Sequence, residues 1–231
     1  MFYYYGRKKQ IAKCYPKPNF NTIIEPFAGS AAYSLHNDNW KKHVILIEKD
    51  KKVFDIWDWL INKASEKDIR NLPELKVGEK SSEFLHIIHA ATKMAFFFKN
   101  IKVTPVLARN WEISRRVFLE SLYKVKHWTI INADYSNAPN IEATWFIDPP
   151  YKGTSGMGYK HNSKLINYES LANWALNRKG EIIFCEGIEA DYLPFKQLIE
   201  LKGVAGKRSQ EMIFYRAKNG KSLDSQQFLF R

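Results

Sequence analysis

Residues 145–151 read WFIDPPY: an apolar run hands over an aspartate, then two prolines, then a tyrosine. A carboxylate delivered at the end of a greasy strand is placed to accept hydrogen bonds inside a pocket. The prolines fix φ and remove two competing N–H donors. Such a tetrapeptide suits the activation of a weakly nucleophilic amine. The exocyclic amine of a nucleobase has its lone pair conjugated into the ring. Asp148 and the Pro149 carbonyl, each accepting one of its N–H bonds, would hold the amine and favour a tetrahedral nitrogen. Pro150 keeps the turn rigid, and the Tyr151 ring can stack on a base swung out of a helix.

Three more apolar runs end in unusual residues: EPFAGS at 25–30, IEKD at 47–50 and NADY at 132–135. In open α/β sheets, ligands sit beyond the carboxyl ends of the strands, near the point where strand order reverses. Four such ends in register fit one elongated ligand. The small-residue turn offers backbone N–H groups, the acid after the second strand suits the two hydroxyls of a ribose, and the acid after the third can accept from a purine amine. No G-x-G-x-x-G and no G-x-x-x-x-G-K-[ST] occurs, so a phosphate-bearing nucleotide is disfavoured. S-adenosylmethionine is an adenosine cofactor without phosphates, and its sulfonium tolerates acidic neighbours. Catalysis would then come from aligning nitrogen, methyl and sulfur, with the carboxylate stabilising developing positive charge.

The elements that must carry these ends are legible in the periodicity. TIIEP (22–26) is a short apolar run, and AGSAAYSLHN reads as a turn opening into a helix with Ser30 near its N-cap. HVILIEKD (43–50) is a buried strand, and Val53, Ile56, Trp57, Leu60 and Ile61 make one face of a helix. This alternation predicts a parallel sheet. From 63 to 126 it breaks into two helical stretches. Phe84, Ile87, Ile88, Ala91, Ala95 and Phe98 share a face in the first; Trp111, Phe118, Leu122 and Val125 do in the second. The polar, basic link 99–110 lies between them. Strands resume at 128–135 and 143–151, followed by a helix with Tyr168, Leu171, Ala172 and Ala175 on one side. Next come a strand over GEIIFCEG, a helix over about 189–202 carrying Tyr192, Phe195, Leu198 and Ile199, and two strand-like runs around Asn219-Gly220 that predict a terminal hairpin. The expected fold is α/β and doubly wound, a Rossmann-like S-adenosylmethionine-dependent methyltransferase sheet. It carries a C-terminal antiparallel hairpin and a small, mostly helical insertion. Residues 1–62 and 127–231 form the catalytic domain, and 63–126 the inserted target-recognition region.

The 231 residues carry 36 Lys plus Arg against 24 Asp plus Glu, a net charge of +12. That excess favours a polyanion, because each neutralised phosphate releases counterions. Apolar stretches are too short to span a bilayer, and the first residues lack the apolar core of a secretory signal. Two cysteines, Cys14 and Cys185, suit a reducing cytoplasm.

The motifs together resemble the Dam-like (D12 class, α-type) DNA adenine-N6 methyltransferases. YYGRK (4–8) is similar to the family's N-terminal W-x-G-G-K element, IEPFAGSAAYSL to its E-P-F-x-G-x-G cofactor turn, ILIEKD and NADY to its acidic strand ends, and DPPY to its catalytic tetrapeptide. The resemblance runs through most of the chain, and DPPY with EPFAG in this order is its specific part. It implies that Tyr4, Tyr5 and Lys8 border the methionine end of the cofactor and that Pro26, Phe27, Ala28, Gly29 and Ser30 wrap it. Glu48 holds the ribose with Asp50 as the second candidate, and Asp134 and Tyr135 contact the adenine. Asp148, Pro149, Pro150 and Tyr151 perform the transfer. The family's second turn glycine is Ala31 here, which fits if its φ is negative, and its G-G pair is Gly6-Arg7.

Candidate DNA contacts are Lys99, Lys102, Arg109, Asn110, Arg115 and Arg116, with Lys152 and Lys160 on a glycine-rich loop read as a flap over DNA. The partner expected is double-stranded DNA, with no membrane, and with monomer and homodimer both open. The setting expected is cytoplasmic, prokaryotic or phage-encoded. N4 of cytosine is served by the same tetrapeptide, and an inactive DNA-binding relative is the alternative from another class. His86 and His89 sit at i, i+3 without a third ligand, so no metal is expected. Glu186 reads equally as an active-site acid or a cap.

Overall fold

The structure, a computed structural model, describes residues 2, 4, 6, 8–80, 102–202 and 208–219. Seven strands form one sheet: β1 Thr22–Glu25, β2 His43–Ile47, β3 Thr129–Ile131, β4 Ala143–Ile147, β5 Gly180–Gly187, β6 Lys196–Lys202 and β7 Arg208–Arg216. Their order is β3-β2-β1-β4-β5-β7-β6. The first five run parallel, and β7 is antiparallel to both β5 and β6. This is the doubly wound, Rossmann-like sheet expected from the sequence, with an antiparallel hairpin at one edge. Strand order reverses between β1 and β4, so the crevice beyond their carboxyl ends is the ligand position of such sheets.

The period of two along the strands sorts their side chains onto two layers. Ile23, Val44, Leu46, Phe146 and Ile183 face one core, and Ile24, Ile45, Ile47, Trp145 and Ile182 the other. The first core is covered by α1 (Lys51–Asp58), through Val53, Ile56 and Trp57, and by α3 (Pro105–Val125), through Trp111, Phe118, Leu122 and Val125. A π-type turn, Trp59–Lys63, extends α1 and buries Leu60 and Ile61; α2 (Glu66–Arg70) follows behind a Ser65–Asp68 capping box. The second core is covered by α4 (Tyr168–Leu176), through Leu171, Ala172 and Ala175.

Four expectations need correction. The helix expected after the first turn is absent, and residues 28–38 run as successive tight turns. Ala31 has φ +47° and Asn37 φ +46°, and left-handed residues at both positions stop a right-handed helix from propagating. The condition of a negative φ at Ala31 is therefore not met, although its methyl is buried and accommodated. The link 99–110 ends early: Thr104 accepts the Leu107 N–H at 3.2 Å and Pro105 opens α3, so Arg109 and Asn110 are helical. The helix expected over about 189–202 is absent: 189–195 run as turns and irregular chain, and 196–202 form β6. A register irregularity between Gln197 and Ile199 shifts Leu198 and Ile199 out of strand alternation and into apparent helical spacing. An antiparallel hairpin is formed by β6 and β7. The run after Asn219, the helical stretch 84–98, Tyr5, His86, His89 and Lys99 lie outside the described residues.

Candidate active site

Two cavities open beyond the strand ends and meet at Gly6, Lys8 and Tyr159. The first, about 300 Å³, lies over the crevice between β1 and β4. It gathers most of the sequence-predicted cofactor residues: Tyr4, Lys8, Pro26, Phe27, Ala28, Gly29, Ser30, Glu48, Asp50, Asp134, Tyr135 and Asp148. Gly29 sits at φ +46° with the Tyr4 ring against it, so a Cβ there would press on the ring at 3.1 Å. The turn after β1 is held from β2 as well: Glu48 accepts the Gly29 N–H at 3.0 Å and the Asp50 N–H at 2.8 Å. Trp57 of α1 donates to the Gly29 carbonyl at 2.8 Å. Asp50 caps α1 by accepting from Lys52 N–H. Phe27 and Tyr135 stack at 5.2 Å, giving one end of the cavity an aromatic wall.

Five carboxylates line this cavity: Glu25, Glu48, Asp50, Asp134 and Asp148. Lys8 pairs with Asp148 at 3.1 Å, Lys49 with Asp134 at 2.9 Å, and Lys160 lies 3.4 Å from Asp50. Glu25 and Glu48 are met by backbone N–H groups, Glu25 by that of Ser34 at 2.9 Å. Burial pushes Glu25 up to about 8 and Glu48 up to about 7. Burial also opposes ionisation of Asp134, yet bonds from Lys49 and Ser136 hold it below the usual carboxylate range. With three of these acids paired to lysines and two drawn toward protonation by burial, the lining offers hydrogen-bond acceptors for hydroxyl and amine donors rather than a strong net charge.

Asp148 follows β4, and extending the β1–β4 register sets it level with Phe27. Its side chain is 20% exposed and opens on the first cavity. Burial raises Asp148 to about 6, Lys8 opposes that shift, and Glu211 adds to it. Burial would push the Lys8 ammonium down, but Asp148 and Glu211 together keep it firmly charged. Lys8 also stands 4.2 Å from the centre of the Tyr151 ring, within cation–π range. Tyr151 donates its hydroxyl to Glu211, which also accepts from Tyr15 at 2.6 Å and lies 3.7 Å from Lys8. Gly187 packs against the same ring, where a Cβ would meet Cδ2 at 3.3 Å. Tyr168 donates to the Pro150 carbonyl at 2.6 Å, fixing the second proline. The second cavity begins at Tyr151 and is bounded by the loop after Lys152, by Gly187–Glu189 and by Glu200, Ser209, Gln210 and Glu211 of the hairpin.

Three residues of the site were not anticipated. Glu211 anchors the DPPY tyrosine, Glu25 lines the first cavity, and Tyr159 lines both cavities. Two of them carried a signal: Glu211 is in strand phase with Ile213 and Tyr215, and Glu25 with Ile23, so each acid points to the buried face. Glu186 acts as a loop anchor, accepting from Lys152 N–H at 3.0 Å, Gly187 N–H at 2.8 Å and Tyr192 hydroxyl at 2.7 Å. The expected DNA contacts divide. Lys102, Arg109 and Arg116 are exposed, and Asn110 is half-buried on α3. Arg115 ties α3 to α2 through the Arg70 carbonyl at 2.9 Å and pairs with Glu112. Lys152 pairs with Asp191, and Lys160 reaches into the first cavity, so the glycine-rich loop borders that cavity. Among the described residues, no cluster of His, Cys, Asp and Glu could hold a metal ion.

No family model and no curated relative matches the chain. Solved structures with a similar trace include the 23S rRNA methyltransferase ErmE, with 11% identity, 98% of this chain and 74% of that one covered, and a TM-score of 0.43. They also include Escherichia coli yhhF, described as a methyltransferase (12%, 83% and 73%, 0.35), and Haemophilus influenzae HI0767, described as a methylase (12%, 85% and 79%, 0.37). With all three scores below 0.5, no role passes from those proteins to this chain.

Proposed function

We propose that this chain is an S-adenosylmethionine-dependent methyltransferase acting on the exocyclic amine of a nucleobase, N6 of adenine in DNA. One observation carries the reading. The Lys8 ammonium sits between the Asp148 carboxylate, at 3.1 Å, and the Tyr151 ring, at 4.2 Å. A nitrogen donor is thus held by the carboxylate and faced by the aromatic ring, which is the position a target amine would take. Lys8 can yield that place while staying paired, because Glu211 lies on its other side.

The first cavity fits the cofactor by the chemistry of its donors. Phe27 and Tyr135 provide an aromatic wall for adenine, Glu48 and Asp50 acceptors for ribose hydroxyls, Asp134 an acceptor for the adenine amine, and the turn at Ala28–Ser30 a close backbone approach. When bound, S-adenosylmethionine supplies an electrophilic methyl group on a sulfonium. Asp148 then accepts an N–H of the target amine and keeps its lone pair out of conjugation. The target nitrogen would take the methyl carbon from the cofactor, with the carbon–sulfur electron pair retained on sulfur. Asp148 stabilises the charge that appears on nitrogen, and the surplus proton leaves through it or to water. Tyr151 stacks on the base with its hydroxyl fixed by Glu211.

Incubation of plasmid DNA with the protein and methyl-labelled cofactor, followed by digestion and nucleoside identification, tests the reading. N6-methyladenine is the expected product; N4-methylcytosine would move the target, and label only in RNA would move the substrate. Asp148→Ala is expected to lower turnover by at least about 10³-fold, with cofactor affinity by calorimetry largely retained. Retained turnover would remove Asp148 from its role.

A further inference from the structure

Ile188 stands at the mouth of the second cavity with 63% of its surface exposed. It sits on a turn closed by the Ala190 N–H to the Gly187 carbonyl at 3.2 Å. The base of that turn is rigid. Gly187 pairs with Glu211 in the β5–β7 ladder, and its N–H is held by Glu186. Glu186 also holds the Lys152 N–H, so one carboxylate ties the Ile188 turn to the segment bearing Tyr151. Tyr151 itself packs on Gly187, one residue away. A branched apolar side chain is therefore fixed in water beside the cavity that would take the target ring, although burial would stabilise it.

A base drawn out of a duplex leaves a gap in the stack, and apolar side chains that insert between base steps fill such gaps. We propose that Ile188 is a wedge that enters the base stack while the target nucleotide occupies the second cavity, so the substrate is a duplex with its base extruded, not an unpaired strand. The proposal rests on the nucleic-acid reading above. Ile188 touches none of the reacting atoms; it is a positioning residue that keeps the extruded state populated.

The test uses oligonucleotides spanning a methylated adenine mapped in the plasmid assay, in three forms: fully paired, with the target opposite an abasic site, and single-stranded. Ile188→Ala is expected to lower kcat/KM on the paired duplex by about tenfold and on the other two by less than about twofold; Ile188→Leu is expected to restore the paired substrate. With 2-aminopurine at the target position, the wild-type protein is expected to raise fluorescence on binding and Ile188→Ala to abolish most of that rise. Equal losses on all three substrates, or no loss on the paired duplex, overturn the wedge. So does a wild-type preference for the single strand, and in each of these cases the methyltransferase reading stands. Failure of the wild-type protein to label any DNA overturns both.

Discussion

Asp148 and Lys8 form a coupled pair whose titration is visible in rate. Asp148 has to be ionised to accept from the amine, and burial places its pKa at about 6. At saturating cofactor, kcat/KM for the nucleic acid is therefore expected to rise through pH 6 and level off above it. Lys8 opposes the upward shift, so Lys8→Met is expected to move the inflection to higher pH; an unmoved inflection in a pH-rate profile would show that another group titrates. Which residues line the first cavity was largely readable from residue types, since DPPY and EPFAG name an acceptor, a rigid turn and a close backbone approach. The partner of Tyr151 was not. Glu211 comes 60 residues later, on a strand whose inward phase had to be recognised before its acid could be placed.

At the scale of elements, two local devices hold the strand ends in place. Glu186 gathers three donors from two loops and a tyrosine, and Glu186→Ala leaves them unmet. The loss is expected to be about 2–4 kcal/mol, which should lower the thermal midpoint by several degrees and loosen the Ile188 turn with it; differential scanning fluorimetry checks the first. Ala31 is a different case. A left-handed alanine costs about 1–2 kcal/mol, whereas its buried methyl contributes about 0.8 kcal/mol. Ala31→Gly is accordingly expected to leave the midpoint unchanged or raised, and a fall of several degrees would mean that the methyl is worth more than the backbone relief. Central strands were legible because a fully buried strand is a continuous apolar run. β6 was not, because its irregularity at Gln197–Ile199 disguises alternation as helical spacing, and the turns at 28–38 were not, because positive φ leaves no mark in composition.

Across the whole molecule, buried acids set the response to pH. Glu25, Glu48, Glu186 and Asp148 stand at about 8, 7, 7 and 6, each raised chiefly by burial. The folded state then holds protons that the unfolded chain has released. The stability these groups contribute is full below the unfolded carboxylate range and is lost as pH rises through 6 to 8. The midpoint of the ligand-free protein is expected to fall between pH 6 and 8.5, and Glu25→Gln, which keeps an acceptor for Ser34, to flatten that fall. A midpoint that rises over this interval would contradict the burial of these groups. Among the described residues Glu25, Glu48, Asp50, Glu181, Glu186 and Glu211 are buried and, of the basic residues, Lys8 alone, while the chain as a whole carries +12, so burial removes more negative than positive charge from the surface a polyanion would meet.

Gly6, Lys8 and Tyr159 line both chambers, whose remaining walls come from different residues. A spent donor leaving the first chamber could be swapped for a fresh one while the polymer keeps its seat over the second. Repeated marking of one long strand without release is the expected behaviour, measurable by adding a large excess of unlabelled competitor DNA after the first turnover.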